Sequence, residues 1–402
     1  MDFSTIIWFM RISQLQQIKQ LMPSKIIDRV LFEKLVKDLR KPEIQIILGP
    51  RQVGKSSLMY LLMDYIFKKN VDLFYFNLDL YDPVFDSPQL FIADINSKKL
   101  TSGKTYIFID EIQRKKDAGL FLKYIYDRKE DFKLVITGSS SLNIKNMVNE
   151  PLTGRKFEYF LHPLSLVEIL QYKGVYPSRL DKPILTPDMG KIIEEYLVFG
   201  GYPEVVLADL NEDKTAKLQE ITKSYITRDL IETFGIVKPQ QLKAVATYLA
   251  QNISNLLSKE NIAKTLSISV YQVESYLEAL EKSFIVNFLR PFYKNPVKEI
   301  SHRPKVYFED NGIRNALLDK LSDLLILSDK GKLFEQTVYQ FFSQKYLAVK
   351  FWRNTNQTEV DFVIEKEGKL IAVEAKYNWN KILLPRNLKS FSQIYEKEII
   401  KT

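Results

Sequence analysis

Gly49, Pro50, Arg51, Gln52, Val53, Gly54, Lys55 and Ser56 follow the spacing G-x-x-x-x-G-K-[ST], a pattern suited to holding phosphate. The glycines let backbone N–H groups curl around phosphate oxygens, and the helix that follows adds the partial positive charge of its N-terminus. Lys55 would reach the β- and γ-phosphates, the Ser56 hydroxyl would ligate Mg²⁺, and Ser57 completes the set of nucleotide-contacting residues. Further on, Asp110-Glu111 closes an apolar run. Asp110 would hold Mg²⁺ through water and Glu111 would polarise the attacking water. An acid pair at that position can also cap a helix. Thr137 and Ser139 end the next apolar run, where they could hydrogen-bond the γ-phosphate or the lytic water, or cap a helix. Arg155 follows Gly154 in a polar segment. It is either an arginine acting on a neighbouring subunit's γ-phosphate, which makes a homo-oligomer a candidate assembly, or a surface residue.

A second group of charged residues lies near the C-terminus. Glu335 belongs to a helical segment, Asp361 to Glu-Val-Asp-Phe-Val-Ile, and Glu374 and Lys376 to Leu-Ile-Ala-Val-Glu-Ala-Lys. With a side-chain period of two, Glu374 and Lys376 project from one face of a strand, and Asp361 on the neighbouring strand could meet them. Metal-assisted phosphodiester hydrolysis is the chemistry such a cluster permits. A half-exposed hairpin also carries alternating charge for solvation alone.

The elements that must position these groups are short β-rich runs separated by helix-length segments. Ile44–Leu48 leads into the glycine loop and a helical pattern through Tyr65. Leu73–Leu78, Tyr106–Ile109 and Lys133–Thr137 each end in polar residues. The pattern predicts an α/β fold, a parallel sheet with helices on both faces, whose ligand sits at the carboxyl ends of the strands. After Gly174 the chain turns helical, broken at Gly200-Gly201-Tyr202-Pro203. Residues 239–310 read as three helices and a β-hairpin, a winged-helix order. If the third helix meets DNA, Ser269, Tyr271, Gln272 and Ser275 face the groove, with Lys259 and Lys264 near phosphates. Glu274 and Glu278 oppose close phosphate contact, and the same surface could pack as a lid. A small α/β unit closes the chain.

Composition narrows the chemistry. The 402 residues carry 58 Lys+Arg against 49 Asp+Glu, an excess of +9 that allows a polyanionic partner such as DNA without requiring one. There is no cysteine, so disulfides, thiolate zinc sites and thiol catalysis are excluded. Two histidines, His162 and His302, cannot build a His-rich metal site, which leaves hard cations on carboxylates and phosphates. The apolar run Ile6–Met10 is far short of the roughly 20 residues of a membrane span, and Asp2 beside it is unlike a signal peptide. The expectation is a cytoplasmic protein without membrane contact. Translation from Met22 is an alternative start.

Taken together, Gly-Pro-Arg-Gln-Val-Gly-Lys-Ser, Ile-Asp-Glu-Ile-Gln, Thr-Gly-Ser-Ser-Ser and Leu-Thr-Gly-Arg (152–155) resemble a prokaryotic group of AAA-superfamily P-loop ATPases. So do Pro-Leu-Ser-Leu-Val-Glu (163–168), Phe-Gly-Gly-Tyr-Pro-Glu (199–204) and Thr-Arg-Asp-Leu (227–230). The resemblance implies a winged helix after the ATPase and a C-terminal domain of unknown function with a PD-(D/E)xK nuclease-like fold. It places Thr137 and Ser139 at the sensor position. In the nuclease-like domain Asp361 and Glu374 would bind a divalent ion, Lys376 would position hydroxide and Glu335 would assist. The expected division is an extension at 1–24, the ATPase core at 25–174, a helical lid at 175–238, the winged helix at 239–325 and the nuclease-like domain at 326–402. ATP and Mg²⁺ are the expected cofactors. Two functions remain open: an ATPase that drives DNA-interacting domains, or a nucleotide-dependent scaffold whose inactive nuclease-like domain binds a protein partner.

Overall fold

The computed structural model describes residues 19–69, 71–138, 151–175, 186–226, 230, 234–293, 295, 297, 299, 302–321, 329–346, 348–377 and 385–395. The expected N-terminal apolar run at 6–10, Ser139 and the Thr-Arg-Asp stretch at 227–229 lie outside them. The chain divides into two compact units, Met1–His162 and Pro163–Thr402.

In the first unit, α1 (Val30–Asp38) precedes β1 (Ile44–Leu48), and α2 (Lys55–Phe67) precedes β2 (Leu73–Asn77). Then come α3 (Pro88–Lys98), β3 (Thr105–Asp110), α4 (Ala118–Asp127), β4 (Phe132–Gly138) and β5 (Lys156–Phe160). The strands form one parallel sheet in the order β2-β3-β4-β1-β5. Every residue of β1 is buried, as expected for a central parallel strand covered on both faces. Alternation splits its side chains. Ile44, Ile46 and Leu48 join Ile107, Ile109, Leu134 and Ile136 in a core filled by Phe85, Phe91 and Phe121. On the opposite face α2 packs against β2, β3 and β4 through buried Leu58, Met59 and Leu62. The register pairs Leu48 with Gly138 and Asn77 with Asp110, so four strands end at one level. This is the P-loop NTPase arrangement that the sequence pattern predicts.

In the second unit, α5 (Leu166–Tyr172) starts from a capping box in which Ser165 and Glu168 satisfy each other's backbone N–H. α6 (Pro187–Phe199), α7 (Pro203–Val206) and α8 (Asn211–Ser224) follow. Three more helices, α9 (Pro239–Gln251), α10 (Lys259–Leu266) and α11 (Val270–Lys282), lead to the antiparallel pair β6 (Val286–Leu289) and β7 (Lys305–Phe308). α12 (Asn311–Leu317) and α13 (Lys330–Lys345) then precede the antiparallel sheet β10-β9-β8, made of β8 (Val349–Arg353), β9 (Glu359–Lys366) and β10 (Lys369–Val373). α14 (Arg386–Tyr395) covers one face of that sheet, with Phe391 fully buried.

Within residues 163–402 the helices, the β6–β7 pair and the C-terminal sheet are tied to one another. Buried polar groups account for this. Asn315 donates to the Leu197 and Val198 carbonyls at the end of α6 (3.0 and 2.8 Å). Gln336 of α13 accepts from the Phe308 N–H of β7 and donates to Asn311 of α12 (2.8 and 2.6 Å). Arg314, 1% exposed, reaches the Ala250 carbonyl in α9 (2.8 Å) and Asp329 before α13. Each tie satisfies a buried group that would cost free energy alone. Gly201 donates to Asp310 (2.7 Å), and a Cβ there would meet the Leu164 carbonyl oxygen at 2.0 Å. No helix among the described residues is long and apolar enough to cross a membrane.

Candidate active site

The glycine loop joins β1 to α2 at the level where the strands end. Gly49 passes against the chain after β5 so closely that a Cβ would lie 2.2 Å from the Leu161 carbonyl oxygen. Glycine is required there. Gln52 and Gly54 have positive φ (60° and 93°), which curls the loop ahead of the first helical turn of α2. The first N–H groups of an α-helix have no intrahelical partner, so the Lys55–Leu58 turn presents donors and positive potential together. Lys55 is 5% exposed, and its ammonium donates to the Gly49 and Pro50 carbonyls (3.0 and 2.6 Å), which holds it across the loop. Pro50, Arg51, Gln52 and Val53 form the crown of the loop, with Val53 fully buried. Ser56 and Ser57 open the helix.

Asp110 ends β3 at 3% exposure. One carboxylate oxygen accepts from the Ser56 hydroxyl (2.7 Å) and the other from the Thr137 hydroxyl. Thr137 Oγ1 also accepts the Glu111 N–H (3.2 Å). Thr137 thus bridges the two members of the acid pair. Glu111 has a left-handed backbone (φ 57°, ψ 46°), which turns it out of the strand. Gln113, on the short 3₁₀ turn Ile112–Arg114, donates to the Glu111 carboxylate. Two tyrosines back the acids: Tyr60 and Tyr75 share a hydroxyl contact of 3.2 Å. Burial, the Tyr60 hydroxyl and the Asp110 carboxylate all push Tyr75 well above the usual phenol range, so it stays a proton donor.

Three features were not legible from residue types. Arg29, just before α1, staples the loop to the chain after β5 by donating to the Val53 and His162 carbonyls (2.9 and 2.6 Å). Gln113 was read only as part of a motif. Arg155 makes a two-pronged pair with Asp127 at the end of α4 (2.7 and 3.3 Å), within its own chain. That partner raises the arginine and lowers the aspartate from their ordinary values. The guanidinium would have to leave Asp127 to act on a second subunit.

Donor chemistry at the loop fits Mg²⁺ with a nucleotide. A hydroxyl and a carboxylate stand hydrogen-bonded, both hard oxygen ligands, at the end of a helix built to receive phosphate.

The C-terminal carboxylates lie near one another, with a lysine from β7 among them. Asp361 accepts the Ala375 N–H (2.9 Å) on one oxygen. Glu374 is divided between Lys376 (2.7 Å) and Asn387 (2.6 Å). Glu335 accepts from the Tyr307 hydroxyl (2.6 Å). Lys305, the first residue of β7 and 2% exposed, places its ammonium 2.6 Å from Glu359, 3.3 Å from Glu335 and 4.0 Å from Asp361. Burial, with Glu335 and Glu374 nearby, pushes the Asp361 carboxyl up to about 7 despite Lys305. Among the described residues no three carboxylates or histidines come together as a metal could require.

On α11, Tyr271 is 79% exposed. Gln272 closes a capping box with Ser269 and donates to Gln241 (3.3 Å). Lys259 pairs with Glu274 (2.8 Å).

A family model described as an AAA domain matches residues 41–170. Two models described as domains of unknown function, DUF8612 and DUF4143, match residues 190–324 and 330–401. An uncharacterized protein of Methanocaldococcus jannaschii is 27% identical over 388 residues, covering 94% of this chain and 82% of that protein. One from Haemophilus influenzae is 25% identical, covering 83% and 82%. Among solved structures, the ORC2 protein of Aeropyrum pernix in its ADP form aligns with a TM-score of 0.37 at 10% identity, over 75% of this chain and 97% of that one. Residues 41–170 are thus similar to an AAA domain, and the loop, acid pair and strand ends described above lie within that matched stretch.

Proposed function

We propose that the protein binds ATP with Mg²⁺ and hydrolyses it, and that nucleotide state governs what the second unit binds. The observation that carries this is the Ser56–Asp110–Thr137–Glu111 chain of hydrogen bonds at the mouth of the glycine loop. Backbone N–H groups and Lys55 hold the phosphates. Ser56 and Asp110 would hold Mg²⁺, which when bound offsets negative charge on the β- and γ-phosphates. Glu111 orients and deprotonates the attacking water, with Gln113 setting its rotamer. The test is phosphate release from ATP by the full chain. Turnover is expected with Mg²⁺ and lost on EDTA, and it returns when Mg²⁺ is restored. Hydrolysis that ignores the chelator would overturn the assignment.

For the second unit, DNA is the proposed partner, through the winged-helix order of α9, α10, α11, β6 and β7 and the exposed Tyr271. The internal engagement of Gln272 and Lys259, with Glu274 and Glu278 on the same helix, supports the competing reading of a protein-binding scaffold. Salt separates the two. Duplex binding through phosphates should weaken steeply with salt, each neutralised phosphate adding about 0.9 to the log–log slope. Affinity that is absent, or flat with salt, removes DNA as the partner.

A further inference from the structure

We infer that Lys305 is a built-in cation. The β6–β7 hairpin delivers its ammonium into the carboxylate cluster of the C-terminal domain and closes that cluster to divalent metal. The domain does not cut phosphodiesters while the hairpin is docked.

The argument begins with burial. A lysine with 3% side-chain exposure keeps its charge only if carboxylates compensate for lost hydration. Three of them face it: Glu359, Glu335 and Asp361. Their charges hold the ammonium above its ordinary range against the effect of burial. The ring of Phe351, 5.5 Å from the nitrogen, closes another side.

The hairpin is fixed where it stands. Tyr307 lies two residues along β7, on the same face as Lys305, and stacks on Tyr339 of α13 (4.4 Å, 16°) while bonding Glu335. Gln336 and Gln340 of α13 hold the backbone of Phe308 from both sides. Beyond β6, Phe292 N–H donates to the Phe351 carbonyl of β8 (2.6 Å) and Phe351 N–H to the Arg290 carbonyl (3.2 Å), which joins the end of β6 to the C-terminal sheet.

Electrostatics then decides the occupant. A divalent ion needs carboxylate oxygens at about 2.0–2.6 Å around a shared point. Here the oxygens of Glu335 and Glu359 already converge on nitrogen, and the second oxygen of Asp361 is tied to Ala375. Glu374 is held apart by Lys376 and Asn387. A metal would have to displace a buried ammonium that stays nearby and repels it.

The experiment titrates the full chain, without nucleotide, with Mn²⁺, following free Mn²⁺ by electron paramagnetic resonance. Wild type and Asp361→Asn should bind Mn²⁺ indistinguishably. Lys305→Met, which keeps the stem and removes the charge, should gain one saturable site that Lys305→Met/Asp361→Asn loses. An Asp361-dependent site in the wild type overturns the inference, as does a folded Lys305→Met that gains none. A second measurement needs no variant. Lys305 should resist amine acetylation, mapped by mass spectrometry, equally with and without excess Mn²⁺. Exposure of Lys305 by Mn²⁺ would show that metal displaces it, and would also overturn the inference.

Discussion

Lys55→Ala is expected to weaken ATP binding about a hundredfold and to remove measurable hydrolysis, while AMP binding changes little. A charge-assisted hydrogen bond contributes about 1.5–3 kcal/mol, and the ammonium serves two phosphates, so a loss near 3 kcal/mol is the reasonable scale. The direction follows from position. Lys55 begins α2 and is nearly buried, with its nitrogen held across the loop by the Gly49 and Pro50 carbonyls. Alanine keeps the helix but removes that bridge, so the loop relaxes and the phosphates lose a cation together. AMP lacks the β- and γ-phosphates and serves as the internal control. Calorimetric titration with ATP, ADP and AMP makes the comparison, with the urea midpoint confirming that the fold persists. ATP affinity equal to wild type would remove the phosphate-holding role from this loop.

Glu111→Gln should separate binding from chemistry. A positioned general base contributes about 10²–10⁴-fold, so kcat should fall by that range while ATP affinity holds. The substitution preserves shape and leaves the left-handed backbone at Glu111 undisturbed, along with the bond from its N–H to Thr137. It also replaces one carboxylate oxygen by an amide, which ends its ability to accept a proton and alters its pairing with Gln113. Single-turnover phosphate release, run beside equilibrium binding, reads both quantities. A kcat within about threefold of wild type would place the base elsewhere, because a true base cannot be lost so cheaply.

What could be read in advance divides by distance along the chain. Lys55, Ser56 and Asp110 were legible because local patterns betray them: a glycine spacing between strand and helix, and an acid at the end of an apolar run. Thr137 was legible as a strand-tip hydroxyl, but its partner was not, since Asp110 comes within reach only through the pairing of β3 with β4. Arg29 joins segments 24 and 133 residues away, and no periodicity reports such a contact. Glu374 and Lys376 lie just past the end of β10 rather than on it, yet they bond to each other. Lys305 was not legible beside the carboxylates for the same reason as Arg29. It sits in a hairpin assigned to another domain, 30 residues before Glu335. Composition counts charges but does not say which of them meet.

The ties around α12 and α13 bear on modularity. A fragment beginning near Lys330 would correspond to the matched C-terminal domain, yet it would lack Asn311, Phe308 and Tyr307, the partners of Gln336 and Glu335. It would also lack Lys305, leaving Glu335, Glu359 and Asp361 to repel one another without a counter-charge. The matched stretch is therefore smaller than the set of elements whose buried groups satisfy one another. A fragment cut at the matched boundary would therefore need the hairpin, or another cation, to hold its carboxylates together.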